Sequence, residues 1–229
     1  MRGELSTGKF AKRHPLDWYV EQGWEWGQIA DAIGVEPELS DGATIWDPCC
    51  GYGHCGSWLE QYGFEGRILL SDVVDNVAWD DFIGRPRWFA ADFREIERAP
   101  VEKCSIWCNP PYSYQPGIAE QFVRHALRLA THRVVMLLPN KWLAPGVDVK
   151  AWSNRSRLFR RDHPPQKVLH FSQRPSMPPG DRIHLMGNRA YAGGMVDYCA
   201  IVWDVRHPTA HGDTRTIWLP PLSEVGSTR

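Results

Sequence analysis

The chain has 229 residues, of which 43% are apolar and 23% are charged, and its formal net charge is −1. This length supports one compact domain with a buried core, and the balanced charge gives no general support for a nucleic-acid partner. No apolar run approaches the roughly 20 residues of a membrane helix, and the polar stretch 1–12 lacks signal-peptide character, so we expect a soluble, cytoplasmic protein.

The first predicted element is a helix near the N-terminus. Residues 17–33 carry apolar side chains at helical spacing, with a break expected between Gly23 and Gly27. Pro15 stands just before this segment, where proline is favoured because its missing N–H is not needed for helical hydrogen bonding. The N-terminal region is therefore expected to be mostly helical.

Residues 44–47 predict a short buried strand that runs into a glycine-rich turn and then a helix. Gly51 and Gly53 let the backbone pass close to a ligand, and the helix expected near Gly56 directs its unpaired amides toward it. The pattern also matches the Gly-x-Gly-x-x-Gly fingerprint of dinucleotide sites. The preceding Asp47-Pro48 favours S-adenosylmethionine instead, since a carboxylate attracts its α-amino group and repels the pyrophosphate of NAD.

Polar residues also close the next two predicted strands. Asp72 follows the strand at 67–71, where a carboxylate can bind both hydroxyls of a ribose. Asp92 and Phe93 follow the strand at 87–90, where polar and aromatic groups could hold an adenine ring. Because the carboxyl ends of parallel strands meet at one edge of a sheet, we expect these residues to share one site.

The fourth predicted strand, 105–108, ends at Asn109-Pro110-Pro111-Tyr112. The Asn109 side-chain oxygen and the Pro110 carbonyl can both accept hydrogen bonds from one planar amino group, while the Tyr112 ring stacks on the attached base. This arrangement presents an exocyclic amine for methylation. A proline-rich turn that merely closes a strand is the structural alternative.

With these motifs, the sequence resembles the S-adenosylmethionine-dependent amino-methyltransferases of the adenine-N6 type, and in particular their small phage and prophage members. The resemblance implies a bacterial host or phage-infected cell, and a loop over 13–20, with His14-Pro15 as its motif, that closes over the methionine end of the cofactor. It also implies the other cofactor-binding residues, which are Asp47, Pro48, Cys49, Gly51, Gly53, Asp72, Asp92, Phe93 and Asn109. The catalytic residues that it implies are Asn109, Pro110, Pro111 and Tyr112.

Further strands are predicted at 133–138, 167–172 and 198–203. Together with the resemblance, the alternation of elements indicates an α/β fold: a Rossmann-like seven-stranded methyltransferase sheet, mostly parallel with its last strand antiparallel, and helices on both faces. We expect a single domain over 1–229. It is expected to contain a helical cofactor-closing segment (1–40), the cofactor-binding and catalytic core (41–140), and substrate-facing loops with the last strands (141–229).

Six cysteines raise the question of a metal or disulfide site. No Cys-x-x-Cys pair occurs, so we expect no metal site and interpret the thiols as small buried side chains in a reducing compartment. Cys49 or Cys50 could nevertheless approach Cys108 across neighbouring strands.

Residues 150–174 are rich in arginine and could bind phosphates, although a solvated helix face explains the pattern equally well. If the substrate is duplex DNA, the adenine must leave the base stack to reach Asn109. Trp142 could line that pocket or pack as plain core. The predicted substrate-binding residues are Tyr112, Lys141, Trp142, Arg157, Arg160, Arg161, Arg174 and Arg182.

We therefore expect a methyltransferase that acts on the N6 amino group of adenine in DNA. Another planar amine, in RNA or in a protein glutamine amide, is an alternative substrate. A catalytically silent nucleic-acid-binding protein on the same fold is a third interpretation. The sequence leaves the recognition site and the oligomeric state open.

Overall fold

The structure is a computed structural model that describes residues 15–144 and 155–225, so His14 lies outside the described residues. Its centre is one eight-stranded sheet with the strand order β3-β2-β1-β4-β5-β7-β6-β8. The strands are β1 (Thr44–Asp47), β2 (Ile68–Asp72), β3 (Arg87–Ala90), β4 (Cys104–Cys108), β5 (Arg133–Pro139), β6 (Lys167–Phe171), β7 (Tyr198–Asp204) and β8 (Arg215–Leu219).

Strands β1 to β5 pair in parallel, and β6 pairs in parallel with β8. Strand β7 runs antiparallel to both of its neighbours, β5 and β6. The predicted α/β fold with a mostly parallel sheet is confirmed, and the predicted strands agree with the observed ones to within one residue at each end. The expected number of seven strands was wrong. The eighth strand, β8, lies at the sheet edge and is largely exposed, so it lacks the buried apolar run of the others.

Helices cover both faces of the sheet. Strands β4 and β5 are buried along their whole length, as expected for parallel strands covered on both sides. Of the described helices, none is long and apolar enough to cross a membrane. The helices are α1 (Trp24–Ile33), α2 (Glu36–Asp41), α3 (His54–Leu59), α4 (Ile118–Leu129), α5 (Arg155–Arg157), α6 (Ile183–Met186) and α7 (Leu222–Val225), and π-helical turns continue α3 and α5 over Glu60–Phe64 and Leu158–Asp162.

Two apolar clusters, one on each face of the sheet, form the core. Helix α4 buries Phe122 and Val123 in one cluster, and α1 buries Trp26 and Ile29 in the other. A buried ion pair adds a polar contact, because the guanidinium of Arg133 on β5 donates to the carboxylate of Glu38 on α2. The pair ties α2 to the centre of the sheet.

The N-terminal helix is shorter than predicted. Residues 17–22 are not helical, so the expectation of a helix over all of 17–33 was wrong for this part. The chain instead forms a bridge between Tyr19 and Pro179, and the Val20 amide donates to the Pro178 carbonyl at 3.0 Å. Gly23 has φ 98° and marks the start of α1. The first helix cannot extend back through this residue, since positive φ is outside the right-handed helical region.

Candidate active site

A cavity of about 630 Å³ lies at the carboxyl edge of strands β1 to β4. This volume is in the usual range for small-molecule sites. The non-helical segment of residues 16–21 passes along one side of the cavity and supplies six of its lining residues. Of the predicted site residues, the cavity lining includes Pro48, Cys49, Gly51, Asp72, Asp92, Phe93, Asn109 and Pro111.

The glycine turn after β1 is joined to the end of β2. The Gly51 amide donates to one carboxylate oxygen of Asp72 at 2.9 Å, and the Val73 amide donates to the other at 2.7 Å. Gly51 has φ 51°. Burial raises the pKa of Asp72, while these two amides oppose that shift. Asp72 thus lies at the cavity with its orientation set by the backbone of both loops.

Asp47, the last residue of β1, is buried beneath this turn. Its carboxylate accepts a hydrogen bond from the Cys49 amide at 3.3 Å. Burial raises the pKa of Asp47 well above its ordinary value, and the neighbouring carboxylates of Glu21 and Asp72 raise it further. A positive charge brought near these carboxylates would offset the repulsion between them.

The loop after β3 places Asp92 and Phe93 at the cavity. Asp92 accepts hydrogen bonds from the backbone amide and the guanidinium of Arg94, and these bonds lower its pKa. The Phe93 ring is buried in edge contact with Trp46, with 5.3 Å between ring centroids. This corner therefore combines a fixed carboxylate with an aromatic wall.

Asn109 follows β4 and is held by hydrogen bonds on both ends of its carboxamide. Its Nδ2 donates to the Tyr19 carbonyl at 3.1 Å and to Glu21 Oε2 at 2.9 Å. Its Oδ1 accepts from the Tyr112 hydroxyl, which also donates to the Leu137 carbonyl at 3.2 Å. Asn109 is half-buried and lines the cavity.

Tyr112 and Pro110 are not among the described residues that line the cavity. The Tyr112 ring lies near Tyr198, with 6.0 Å between centroids, and burial raises the pKa of its hydroxyl well above the ordinary value. Instead of standing open as a stacking surface, the ring is folded against the sheet. Tyr114, two residues further on, reaches the cavity.

The segment 16–21 overlaps the closing loop that the resemblance implied over 13–20, and Glu21 extends it, but the individual contacts were not predicted. Asp17 accepts a hydrogen bond from the Ser113 amide at 2.6 Å, which joins this segment to the loop after Asn109. The Trp18 ring is in edge contact with Tyr52 at 5.4 Å, and Glu21 is buried beside Asn109. Pro15 is exposed and lies outside the cavity lining. Leu16 is the first described residue of the predicted closing loop that lines the cavity.

The cavity is acidic. Its described lining contains the carboxylates of Asp17, Glu21, Asp72 and Asp92. It also contains the positively charged guanidinium of Arg94. Arg94 is already paired with Asp92 at 2.6 Å. Such a lining favours a ligand that carries positive charge over one that carries phosphates.

The predicted substrate-binding residues lie outside the cavity lining. Lys141, Arg157, Arg160, Arg161 and Arg174 are exposed, and Arg182 is half-buried. Two of them are paired with acids, Arg157 with Asp162 at 3.1 Å and Arg174 with Asp197 at 2.6 Å.

Trp142 is buried and packs as core. Its ring is in edge contact with Phe159 at 5.4 Å, and the Arg155 guanidinium lies over it at 5.3 Å. The structure therefore does not bring Trp142 to the cavity.

The cysteines lie mostly inside the protein. Cys49 borders the cavity, and its thiol lies 3.4 Å from the Asn109 carbonyl oxygen. The Cys108 thiol lies 3.3 Å from the Met136 sulfur. All six cysteines are unpaired thiols, and burial raises the pKa of each. Within residues 15–144 and 155–225, no cluster of three or more His, Cys, Asp or Glu side chains could hold a metal ion.

No family model matches the chain, and no curated protein matches its sequence. Solved structures do match its fold. A Listeria monocytogenes protein assigned as a class I S-adenosylmethionine-dependent methyltransferase aligns with a TM-score of 0.60 and 11% identity, over 96% of this chain and 71% of that one. The chain has the class I methyltransferase fold.

Two further structures share this methyltransferase fold. One is the type ISP restriction-modification enzyme LlaGI, solved with a DNA substrate mimic, which has a TM-score of 0.55 and 10% identity over 87% of this chain and 27% of LlaGI. The other is a Pyrococcus horikoshii protein assigned as an RNA methyltransferase, with a TM-score of 0.52 and 14% identity over 83% of this chain and 87% of that one. Ligands of such open α/β sheets bind outside the carboxyl ends of the strands, where the cavity lies.

Proposed function

We propose that the chain is an S-adenosylmethionine-dependent N-methyltransferase that acts on the N6 amino group of adenine in DNA. The observation that carries this proposal is the position of Asn109. Its carboxamide follows β4 and lines an acidic cavity at the carboxyl edge of a methyltransferase sheet. An amide oxygen there can accept a hydrogen bond from an exocyclic amine next to a methyl donor.

The residues of the cavity fit S-adenosylmethionine chemically. Asp72 would bind the ribose hydroxyls, Asp92 and Phe93 would hold the adenine, and the turn at Gly51 would allow close approach of the backbone. Asp47 would favour the α-amino group, and we extend the same proposal to Pro48, Cys49, Gly53 and the His14-Pro15 loop. When bound, the cofactor supplies a methyl group on a positively charged sulfur. The acidic lining suits this cation, whereas the pyrophosphate of a dinucleotide would be repelled.

The protein's part in the reaction is orientation. Asn109 Oδ1 and the Pro110 carbonyl would accept hydrogen bonds from the two N–H groups of the amine. These bonds would direct the nitrogen lone pair toward the methyl group and make it more available. The Tyr112 hydroxyl must leave Oδ1 for the amine to bind there, and its ring can then lie against the base. Pro111 would form the adjoining wall.

A DNA substrate is supported by the resemblance of the sequence motifs and by exposed arginines. Arg160 and Arg161 are exposed on the turn that follows α5, and Lys141 is exposed after β5. Such side chains can bind phosphates by counterion release. We propose the same role for Arg157, Arg174 and Arg182.

The proposal is tested by supplying tritiated S-adenosylmethionine together with unmethylated DNA, structured RNA or a protein lysate. We expect label in DNA, and nucleoside mass spectrometry should identify N6-methyladenosine in its deoxy form. Label confined to RNA or protein would identify another planar amine as the substrate. Tight cofactor binding without transfer to any of the three would indicate a catalytically silent protein.

Two variants separate the proposed roles in the cavity. Asn109→Ala should abolish transfer and leave cofactor affinity near that of the wild type, because the amide faces the amine. Asp72→Ala should weaken cofactor binding itself, because it removes the carboxylate that is proposed to bind the ribose hydroxyls. Calorimetric titration of cofactor into each variant measures this difference, and equal loss of binding in both would contradict the division of roles.

A paired substitution tests the phosphate contacts. The double variant Arg160→Ala with Arg161→Ala should bind DNA more weakly and show a flatter dependence of affinity on salt, since fewer counterions are released. Lys103→Ala is a control that removes one exposed positive charge immediately before β4, at the opposite end of the strand from Asn109. An unchanged salt dependence in the double variant would remove this surface from the proposal.

A further inference from the structure

Glu21 is a buried acid in contact with the proposed catalytic amide. Its side chain lines the cavity and is 6% exposed. One carboxylate oxygen, Oε1, accepts from the Trp26 indole N–H at 2.9 Å, and the other, Oε2, accepts from Asn109 Nδ2 at 2.9 Å. Trp26 is fully buried, so the carboxylate is anchored to the core on one side and to Asn109 on the other.

The contact matters because a carboxamide has two nearly isosteric orientations. Turned by 180°, the Asn109 side chain would present its NH2 group where its oxygen now lies, and an NH2 group cannot accept a hydrogen bond from an amine. The Glu21 carboxylate and the Tyr19 carbonyl both accept hydrogen bonds and cannot donate them. Together they keep the NH2 group on their own side and leave Oδ1 on the other.

We propose that Glu21 is a positioning residue, whose carboxylate fixes the Asn109 carboxamide so that Oδ1 faces the amine to be methylated. This inference rests on the proposed function, and it adds a residue from the N-terminal segment to the site. A hydrogen bond to a carboxylate also polarises the donor amide, which makes its oxygen a better acceptor. Glu21 therefore acts on the substrate through Asn109.

The direct test is Glu21→Gln, which keeps the shape of the side chain and removes its charge. The new amide can accept from Trp26 through its oxygen, but its NH2 group then meets the NH2 group of Asn109. The conflict is relieved when the Asn109 amide turns over. We expect kcat to fall by about tenfold or more, which corresponds to one lost hydrogen bond in the transition state, with cofactor affinity changed by less than about threefold.

Glu25→Gln is the matched control. Glu25 lies four residues further on and is also buried, but its carboxylate accepts from the backbone N–H of Gln22 and not from Asn109. The same chemical change there should leave kcat near that of the wild type. Equal loss of kcat in both variants would mean that Glu21 has no specific role.

An exchange of groups gives a stricter test. In the double variant Glu21→Gln with Asn109→Asp, the new glutamine NH2 group can donate to the new carboxylate, whose second oxygen remains as the acceptor for the amine. We expect this double variant to be more active than either single variant, although the Tyr19 carbonyl opposes full recovery. A double-mutant cycle measures the coupling, and simple additivity would overturn the proposal.

A readout independent of turnover separates this inference from the proposed function. In the wild type, both Asn109 N–H groups are hydrogen-bonded, so their nuclear magnetic resonance signals should be shifted and slow to exchange, and Asn109→Ser identifies them by their loss. Glu21→Gln should move these signals and Glu25→Gln should not. If the wild type proves inactive on every substrate, the proposed function fails, while these spectra still decide the role of Glu21. Unmoved signals, unchanged kcat or a parallel loss of cofactor binding in Glu21→Gln would each overturn it.

Discussion

Replacing the buried acid Glu25 by glutamine should change how the stability of the protein depends on pH. Glu25 is fully buried at the start of α1, and its Oε2 has no hydrogen-bond partner within the described structure. Burial raises the pKa of Glu25 from 4.5 to about 8, and the neighbouring Glu21 carboxylate adds to this shift. At neutral pH the folded protein therefore holds a proton on Glu25 that the unfolded chain has released.

The sign of the effect follows from proton binding. Between pH 4.5 and about 8 the folded state binds more protons at Glu25 than the unfolded state, so stability falls as pH rises. The contribution is fully present below pH 4.5 and is lost as pH rises through 8. At about 1.4 kcal/mol for each pH unit, the full range corresponds to about 5 kcal/mol, and about 3.5 kcal/mol of it falls between pH 5 and pH 8. Glutamine has the shape of the protonated acid and carries no such dependence.

Urea unfolding monitored by tryptophan fluorescence measures the free energy of unfolding and so tests this prediction. The free energy of unfolding of Glu25→Gln, relative to that of the wild type, should increase by about 3 to 4 kcal/mol from pH 5 to pH 8. The difference between the two proteins isolates this residue, because other titrating groups contribute to both. Parallel curves for the two proteins over this range would show that Glu25 ionises normally in the folded state and would refute the reasoning.

Two other substitutions test the fold and the glycine turn. Arg133→Met removes the partner of the buried Glu38 carboxylate and should lower the free energy of unfolding by about 3 to 5 kcal/mol in urea titrations. Adding Glu38→Leu should recover most of that loss. No recovery would show that the loss does not come from the unpaired carboxylate. Gly51→Ala places a Cβ atom 3.0 Å from the Trp18 indole nitrogen, at a residue whose φ of 51° disfavours a side chain. Cofactor affinity measured by calorimetry should fall, while stability changes by about 1 kcal/mol. Unchanged affinity would show that the turn does not contact the cofactor.

The sheet could be predicted closely because its information is local. Strands β4 and β5 are short, mostly apolar runs buried along their length, β1 and β2 are buried except at one end, and each of the four ends at a polar residue or at a glycine or proline turn. In a parallel sheet these ends meet at one edge, so predicting the strands also places Asp72, Asp92 and Asn109 together. The structure brings these three residues to one cavity, which is the part of the site that the sequence pattern could reach.

The N-terminal segment could not be predicted in the same way. Its composition is compatible with a helix, yet residues 18–20 instead pair with residues 178–180, about 160 positions away in the sequence. A contact of that separation leaves no periodic signal in either segment. Asp17 and Trp18 fall within the closing loop implied over 13–20, although their contacts could not be derived from it, and for Glu21 a carboxylate immediately before a tryptophan-rich helix is only a weak sign.

Tyr112 contacts Asn109 without lining the cavity, so the motif alone does not describe how its side chains are arranged. Asn109 Oδ1 is directed away from Glu21 and toward the Tyr112 hydroxyl, and a half-buried acceptor without a donor would be costly. The Tyr112 hydroxyl lies within hydrogen-bond distance of both Oδ1 and the Leu137 carbonyl, and its single hydrogen can be donated to Oδ1. In the proposed reaction, an entering amine would exchange one hydrogen bond for another at Oδ1, so the cost of freeing this oxygen would fall on the movement of a tyrosine ring. The same residue can thus serve both as the partner of Asn109 before binding and as the stacking surface afterwards.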